Sequence, residues 1–136
     1  MSDRRIDGFF YGLFMDKEIL KEKNVEVVAP RTAYVNDYAL QIGKRATLVP
    51  SAGNKAYGMV LSMTHDEIET LYGAPGLEDY RPEAVIAYSM TGESFPAICY
   101  NLNVVQSPDE KNDEYAALLK TALEKLNFPQ AYIDNI

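Results

Sequence analysis

The chain has 136 residues, of which 47% are hydrophobic and 24% charged, a balance that predicts one globular domain over residues 1–136 with a core of its own. A formal net charge of −7 argues against nucleic acid or an anionic membrane as the partner, because both select basic surfaces. A single cysteine, Cys99, excludes an intramolecular disulfide. With His65 as the one histidine there is no zinc-ligand set, so neither metal nor cofactor is expected.

The opening "MSDRRIDGFF" lacks the apolar run of a signal peptide, and no stretch approaches the ~20 apolar residues of a membrane span, so a soluble, cytoplasmic protein is expected. The first strand is expected from about Gly8 to Tyr11, where "FFYGLFM" breaks its apolar run at Tyr11-Gly12. Asp16 then caps a short helix with Met15, Ile19 and Leu20 inward. "VEVVAPRTAYVNDYALQIG" reads as two strands, "EVV" and "AYV", separated by Pro30, with "YALQIG" continuing the pattern. A strand at Thr47–Val49 and another at Ala56–Ser62 follow, with "PSAGNK" between them as a hairpin loop.

"THDEIETLY" is a helix with capping-box spacing at Thr64 and Glu67, an apolar face of Ile68, Leu71 and Tyr72, and Gly73 at its end. "YRPEAVIAYSM" and "SFPAICYNLNVV" are strands joined by the turn "TGE". Ser107, Pro108 and Glu110 mark a second long helix, with Tyr115, Leu118, Leu119, Ala122 and Leu126 as its stripe and Pro129 as its stop; "QAYIDNI" adds one helical turn. The sum is about six strands with two or three flanking helices. The strands are consecutive and joined by short turns, which favours an α+β fold built on a small mixed, mostly antiparallel β-barrel.

Few residues carry chemistry by themselves. His65 lies in a first helical turn, a solvated position, and Cys99 sits among apolar strand neighbours, as an inert buried thiol does. No nucleophile-elbow or phosphate-loop spacing occurs. Ten tyrosines with no tryptophan suit either a core or the rim of a pocket that binds through ring faces and hydroxyls.

The ordered series "FFYGLFM", "YALQIGKRATLVP", "AYGMVLSMT", "HDEIETLYG", "DYRPEAVIAY", "AICYNL" and "LNFPQAYIDNI" resembles the gamma-glutamylcyclotransferase-like family over nearly the whole chain. The resemblance implies a small mixed barrel with one pocket. It implies that backbone N–H groups after Tyr-Gly hold a substrate oxygen, and that a buried glutamate at the end of the mid-chain helix serves as acid and base. The substrate's α-amine then attacks its own γ-carbonyl and releases 5-oxoproline. That chemistry needs a carboxylate of raised pKa in a dry pocket and fixed donors for the oxyanion. On this reading Tyr11, Gly12, Leu13 and Phe14 form the substrate loop, Tyr80 stands at the pocket wall, and the partner is a small γ-glutamyl-type molecule. Oligomeric state is left open.

The chain departs from the pattern in "IETLYGAP": Glu69 matches the first acidic position, and Tyr72 stands where the catalytic glutamate belongs. A phenol with a pKa near ~10 is a poor base at neutral pH but a sound hydrogen-bond donor. Glu83 is the first candidate for a relocated acid and Glu78 the second. Strand alternation sets Glu83 with Val85 and Ala87 and against Ala84 and Ile86; both sets are apolar, so both orientations stand. The alternative is a non-catalytic small-ligand binder on the same fold, with Tyr11, Leu13, Phe14, Tyr72 and Tyr80 around its pocket.

Overall fold

The computed structural model describes residues 4–136 except 74, 76 and 108. β1 (Arg5–Phe10) leads through a 3-10 turn at Leu13–Met15 into α1 (Lys17–Glu22). β2 (Arg31–Ile42) and β3 (Ala46–Thr64) form the long hairpin, and α2 (His65–Tyr72) follows. β4 (Tyr80–Ser89) and β5 (Ser94–Leu102) form a second hairpin, and α3 (Asp113–Lys125) and α4 (Gln130–Asp134) complete the chain. The strands close into a barrel in the order β1-β3-β2-β4-β5. Every pairing is antiparallel except the closing one, where β1 meets β5 in parallel at Gly8 and Ile98.

Strand alternation builds two cores. Phe9 and Tyr11 of the first strand and its exit, with Val35, Ala56, Val60, Val85, Ala87, Ala97 and Cys99, fill the barrel. Phe10, Met59, Leu61 and Met63 face outward, where Leu20, Ile68, Leu71, Leu119, Leu123, Phe128 and Ile133 of the helical layer cover them. One residue of shift along β1 therefore decides whether a side chain meets barrel or helices. Local signals set the helix ends. Asp16 accepts from the Glu18 amide, and Thr64 and Glu67 make both bonds of the capping box.

Several expectations are corrected. Among the described residues there are five strands rather than about six, because "EVV" does not pair as one and two expected strands are one. Val28 accepts a single ladder-like bond from the Ser62 amide at 3.0 Å, and the positive φ of Ala29 followed by Pro30 ends it. Thr47–Val49 and Ala56–Ser62 belong to one 19-residue strand. "PSAGNK" is a bulge in it, since pairing jumps from Asn36↔Lys55 to Tyr38↔Pro50 while β2 runs on beside it. The Asp37 carboxylate holds that bulge by accepting from the Gly53 amide at 3.0 Å. The actual hairpin turn is residues 43–45.

The last long helix starts at Asp113 with Asn112 as its cap, not at Ser107. The Glu110 carboxylate accepts from the Ser107 amide and the Glu110 amide donates to the Ser107 carbonyl, but these bonds close only a turn, and Pro108 lies outside the described residues. Its buried face is Leu119, Ala122 and Leu123, whereas Leu118 is 56% exposed. With the terminal turn, four α-helices are found among the described residues, one more than the upper expectation. Among the described residues no helix is long and apolar enough to cross a membrane.

Candidate ligand pocket

Where β1 ends, the chain opens a cavity of about 320 Å³. Its wall is made by Phe10 to Phe14, by Lys44, Arg45 and Ala46 of the β2–β3 turn, by Tyr72 at the end of α2, by Leu77 and Tyr80, and by Tyr115 of α3. Tyr11, Gly12, Leu13, Phe14, Tyr72 and Tyr80, far apart in sequence, thus meet around one space. Glu83 and Glu78 are not part of its lining.

The tyrosine-glycine break has a physical cause. At Gly12 a β-carbon would stand 2.4 Å from the Tyr115 hydroxyl, so only glycine lets that phenol reach the backbone. The Leu13 amide donates to the Tyr115 oxygen at 3.2 Å. The strand stops, and the backbone beyond it holds a tyrosine of α3.

The opposite wall is pinned by Gln106, which is buried and behaves as a peptide mimic. Its Oε1 accepts from the Arg45 amide at 2.9 Å and its Nε2 donates to the Arg45 carbonyl at 2.8 Å. Gly43 admits this side chain, because a β-carbon there would meet it at 2.9 Å. Asn112 Nδ2 donates to the Lys44 carbonyl at 3.3 Å and so ties the same turn to the start of α3. Arg45 pairs with Asp79 at 3.1 Å, and the Tyr80 hydroxyl donates to the Ala46 carbonyl.

Tyr72 occupies an aromatic box. Tyr100 stacks on it with ring centroids 4.0 Å apart, Phe10 lies parallel at 6.4 Å, and Phe14 meets it edge-on at 5.4 Å. Burial pushes its phenol well above the ordinary tyrosine value, and neighbouring Cys99, Tyr80, Tyr100 and Tyr115 add to the rise. Burial likewise raises Tyr11 and Tyr115, and brings Tyr80 up to about 12. At neutral pH all four are uncharged donors.

Their protons are spent unequally. Tyr11 donates to the Tyr100 carbonyl at 2.7 Å and Tyr80 to Ala46. For Tyr72 and Tyr115, no described residue accepts the hydroxyl proton. Lys44 makes no ion pair among the described residues. The pocket therefore offers two phenolic donors and an ammonium beside the paired Arg45, and none of its described lining residues is acidic.

Glu83 lies elsewhere. It shares the inward register of Val85 and Ala87, which resolves the strand parity, but near the start of β4, where it is exposed. Its carboxylate accepts from Asn101 Nδ2 at 3.2 Å. Asn101 is fully buried, and its Oδ1 accepts from the Leu48 amide at 3.1 Å. Glu83 adds to the burial that raises the Cys99 thiol and the Tyr38 phenol. Glu78 is exposed in the loop before β4. His65 is exposed and Cys99 buried. Among the described residues no three of His, Cys, Asp and Glu converge as a metal site.

Sequence reasoning did not find Lys44, Arg45, Gln106 or Tyr115 as parts of this site. The Tyr115 bond spans 102 residues of sequence and the Gln106 bonds span 61. One local signal did exist: a tyrosine at the third position of a capped helix is placed to lean back over whatever precedes that helix.

No family model matches the sequence, and no curated protein matches it. Solved structures do match. A gamma-glutamyl cyclotransferase superposes with a TM-score of 0.82 at 18% identity, covering 97% of this chain and 86% of that one. An uncharacterised protein from Homo sapiens gives 0.81 at 18% identity, covering 98% and 86%. YkqA from Bacillus subtilis gives 0.82 at 18% identity over 98% of this chain, which spans 53% of that longer protein. At this identity the likeness speaks of architecture. The chain has the gamma-glutamyl cyclotransferase-like fold.

Proposed function

We propose that the chain binds a small carboxylate-bearing molecule, of γ-glutamyl type, in the pocket behind Tyr11–Phe14, and that it does not drive the cyclisation its resemblance implies. The observation that carries this is the pocket's one-sided chemistry: unspent phenolic protons on Tyr72 and Tyr115, cations at Lys44 and Arg45, and no acid among the described lining residues. Donors and positive charge suit a carboxylate, and the stacked rings suit an apolar or aromatic body. The γ-glutamyl class is taken from the resemblance and from the name of the structural neighbour.

Cyclisation asks for more. The α-ammonium must surrender a proton, and a base near neutral pH must receive it. A phenol held neutral at position 72 gives no such base. The loop amide that the resemblance assigns to the oxyanion is engaged here, since the Leu13 N–H donates to Tyr115.

The test is calorimetric titration with γ-glutamyl anilide, beside its α-carboxamide counterpart, which keeps the amine and lacks the carboxylate charge. Binding of the first with at least about tenfold preference over the second is expected. Equal affinity, or no heat from either, overturns the reading. Release of 5-oxoproline that disappears in Glu83→Gln would instead establish the catalytic alternative.

A further inference from the structure

We infer that Tyr115 is the residue that reads the ligand's carboxylate, standing in for the loop amide it covers; this rests on the function proposed above. The Leu13 N–H, the first donor beyond the tyrosine-glycine break, points its proton at the Tyr115 oxygen at 3.2 Å and is not free for a ligand. A hydroxyl that accepts one bond still has its own proton to give, and no described residue takes it. Bonds in a chain polarise one another, so an amide donating to this oxygen sharpens the phenol as a donor on its other side.

Three features set where Tyr115 sits. Asn112 caps the helix by accepting from the Tyr115 amide at 3.0 Å, and it donates to the Lys44 carbonyl at 3.3 Å. Gly12 leaves the hydroxyl a seat that a single methyl would fill. The same docking brings Lys44, an exposed residue, into the lining of the cavity that Tyr115 also lines. A carboxylate bound there meets a neutral hydroxyl and an ammonium together. A carboxamide of the same shape offers no charge to the ammonium and a weaker acceptor to the phenol.

The probes are 3-phenylpropionate and 3-phenylpropionamide, titrated into the parent, Tyr115→Phe and Gly12→Ala. The parent is expected to prefer the carboxylate by about 10- to 100-fold. Tyr115→Phe should bring the carboxylate down toward the amide while the amide loses far less, and Gly12→Ala, which displaces the hydroxyl, should do the same. A purely structural tyrosine would weaken both probes alike, and that result overturns the proposal. So does an undiminished preference in Tyr115→Phe, in which case carboxylate binding survives and the reader is another group. A parent that binds neither probe, nor γ-glutamyl anilide, ends both this proposal and the function it rests on.

Discussion

The pocket mouth and the start of β4 divide between them what an acid–base catalyst needs in one place. At the mouth there is a cavity of about 320 Å³ with ordered aromatic walls and uncharged tyrosine donors, but no acid among the described lining residues. Near the start of β4 there is a carboxylate, Glu83, on the inward register, yet it is exposed and bonded to Asn101 outside that cavity. Tyr72 closes the cavity at the end of α2: its ring packs well against Tyr100, Phe10 and Phe14, which a glutamate could not do without burying a charge.

Placing an acid in the cavity breaks the division most forcefully. Tyr72→Glu loses the stacked rings and buries a carboxyl, and a loss of about 3 kcal/mol is expected in urea unfolding at pH 7. Burial would raise that carboxyl's folded pKa above its unfolded value. The variant should therefore come closest to the parent at acid pH and fall away as pH rises through the folded pKa. A variant as stable as the parent at neutral pH would contradict the aromatic box.

Asn101→Ala tests the other region. It leaves the Leu48 amide without its acceptor inside the barrel, at a cost of about 2 kcal/mol, while carboxylate binding at the mouth stays within about twofold. A large loss of affinity would mean that the two regions act as one site.

Alkaline unfolding sharpens the picture of uncharged tyrosines. Tyr80's folded value lies near 12 against an ordinary 10.0, so the neutral form stabilises the fold fully below pH 10 and that contribution drains away as pH rises from 10 to 12. The share is of order 1 kcal/mol after screening by solvent. Phenolate absorbance rising only together with unfolding checks it. The smallest effect belongs to Glu83→Gln, which keeps an acceptor for Asn101. Stability should move by less than about 0.5 kcal/mol, with ligand affinity unchanged.

What the sequence made legible was local. The strand stop at Tyr11-Gly12, the Asp16 cap and the Thr64–Glu67 capping box are written within a few residues, and each took the structure its spacing implied. Ser107 and Glu110 carried the same signature and closed only a turn, because Asn112 caps the helix from the side that also binds the β2–β3 turn. "PSAGNK" has the composition of a hairpin loop, but its partner strand continues past it, a fact of pairing that composition does not encode. That Tyr11, Gly12, Leu13 and Phe14 line one cavity could be expected from order along the chain. Tyr115, Lys44 and Gln106 could not, since their roles arise from contacts that only the closed barrel and its helices create.

The account stands on binding without turnover, and a single-turnover experiment tests it most directly. With γ-glutamyl anilide held below the concentration of protein, and binding verified by calorimetry in the same buffer, 5-oxoproline is followed over hours. The expected result is bound ligand recovered intact. Stoichiometric 5-oxoproline from the parent protein would contradict the account and return the search to a base that this pocket does not display.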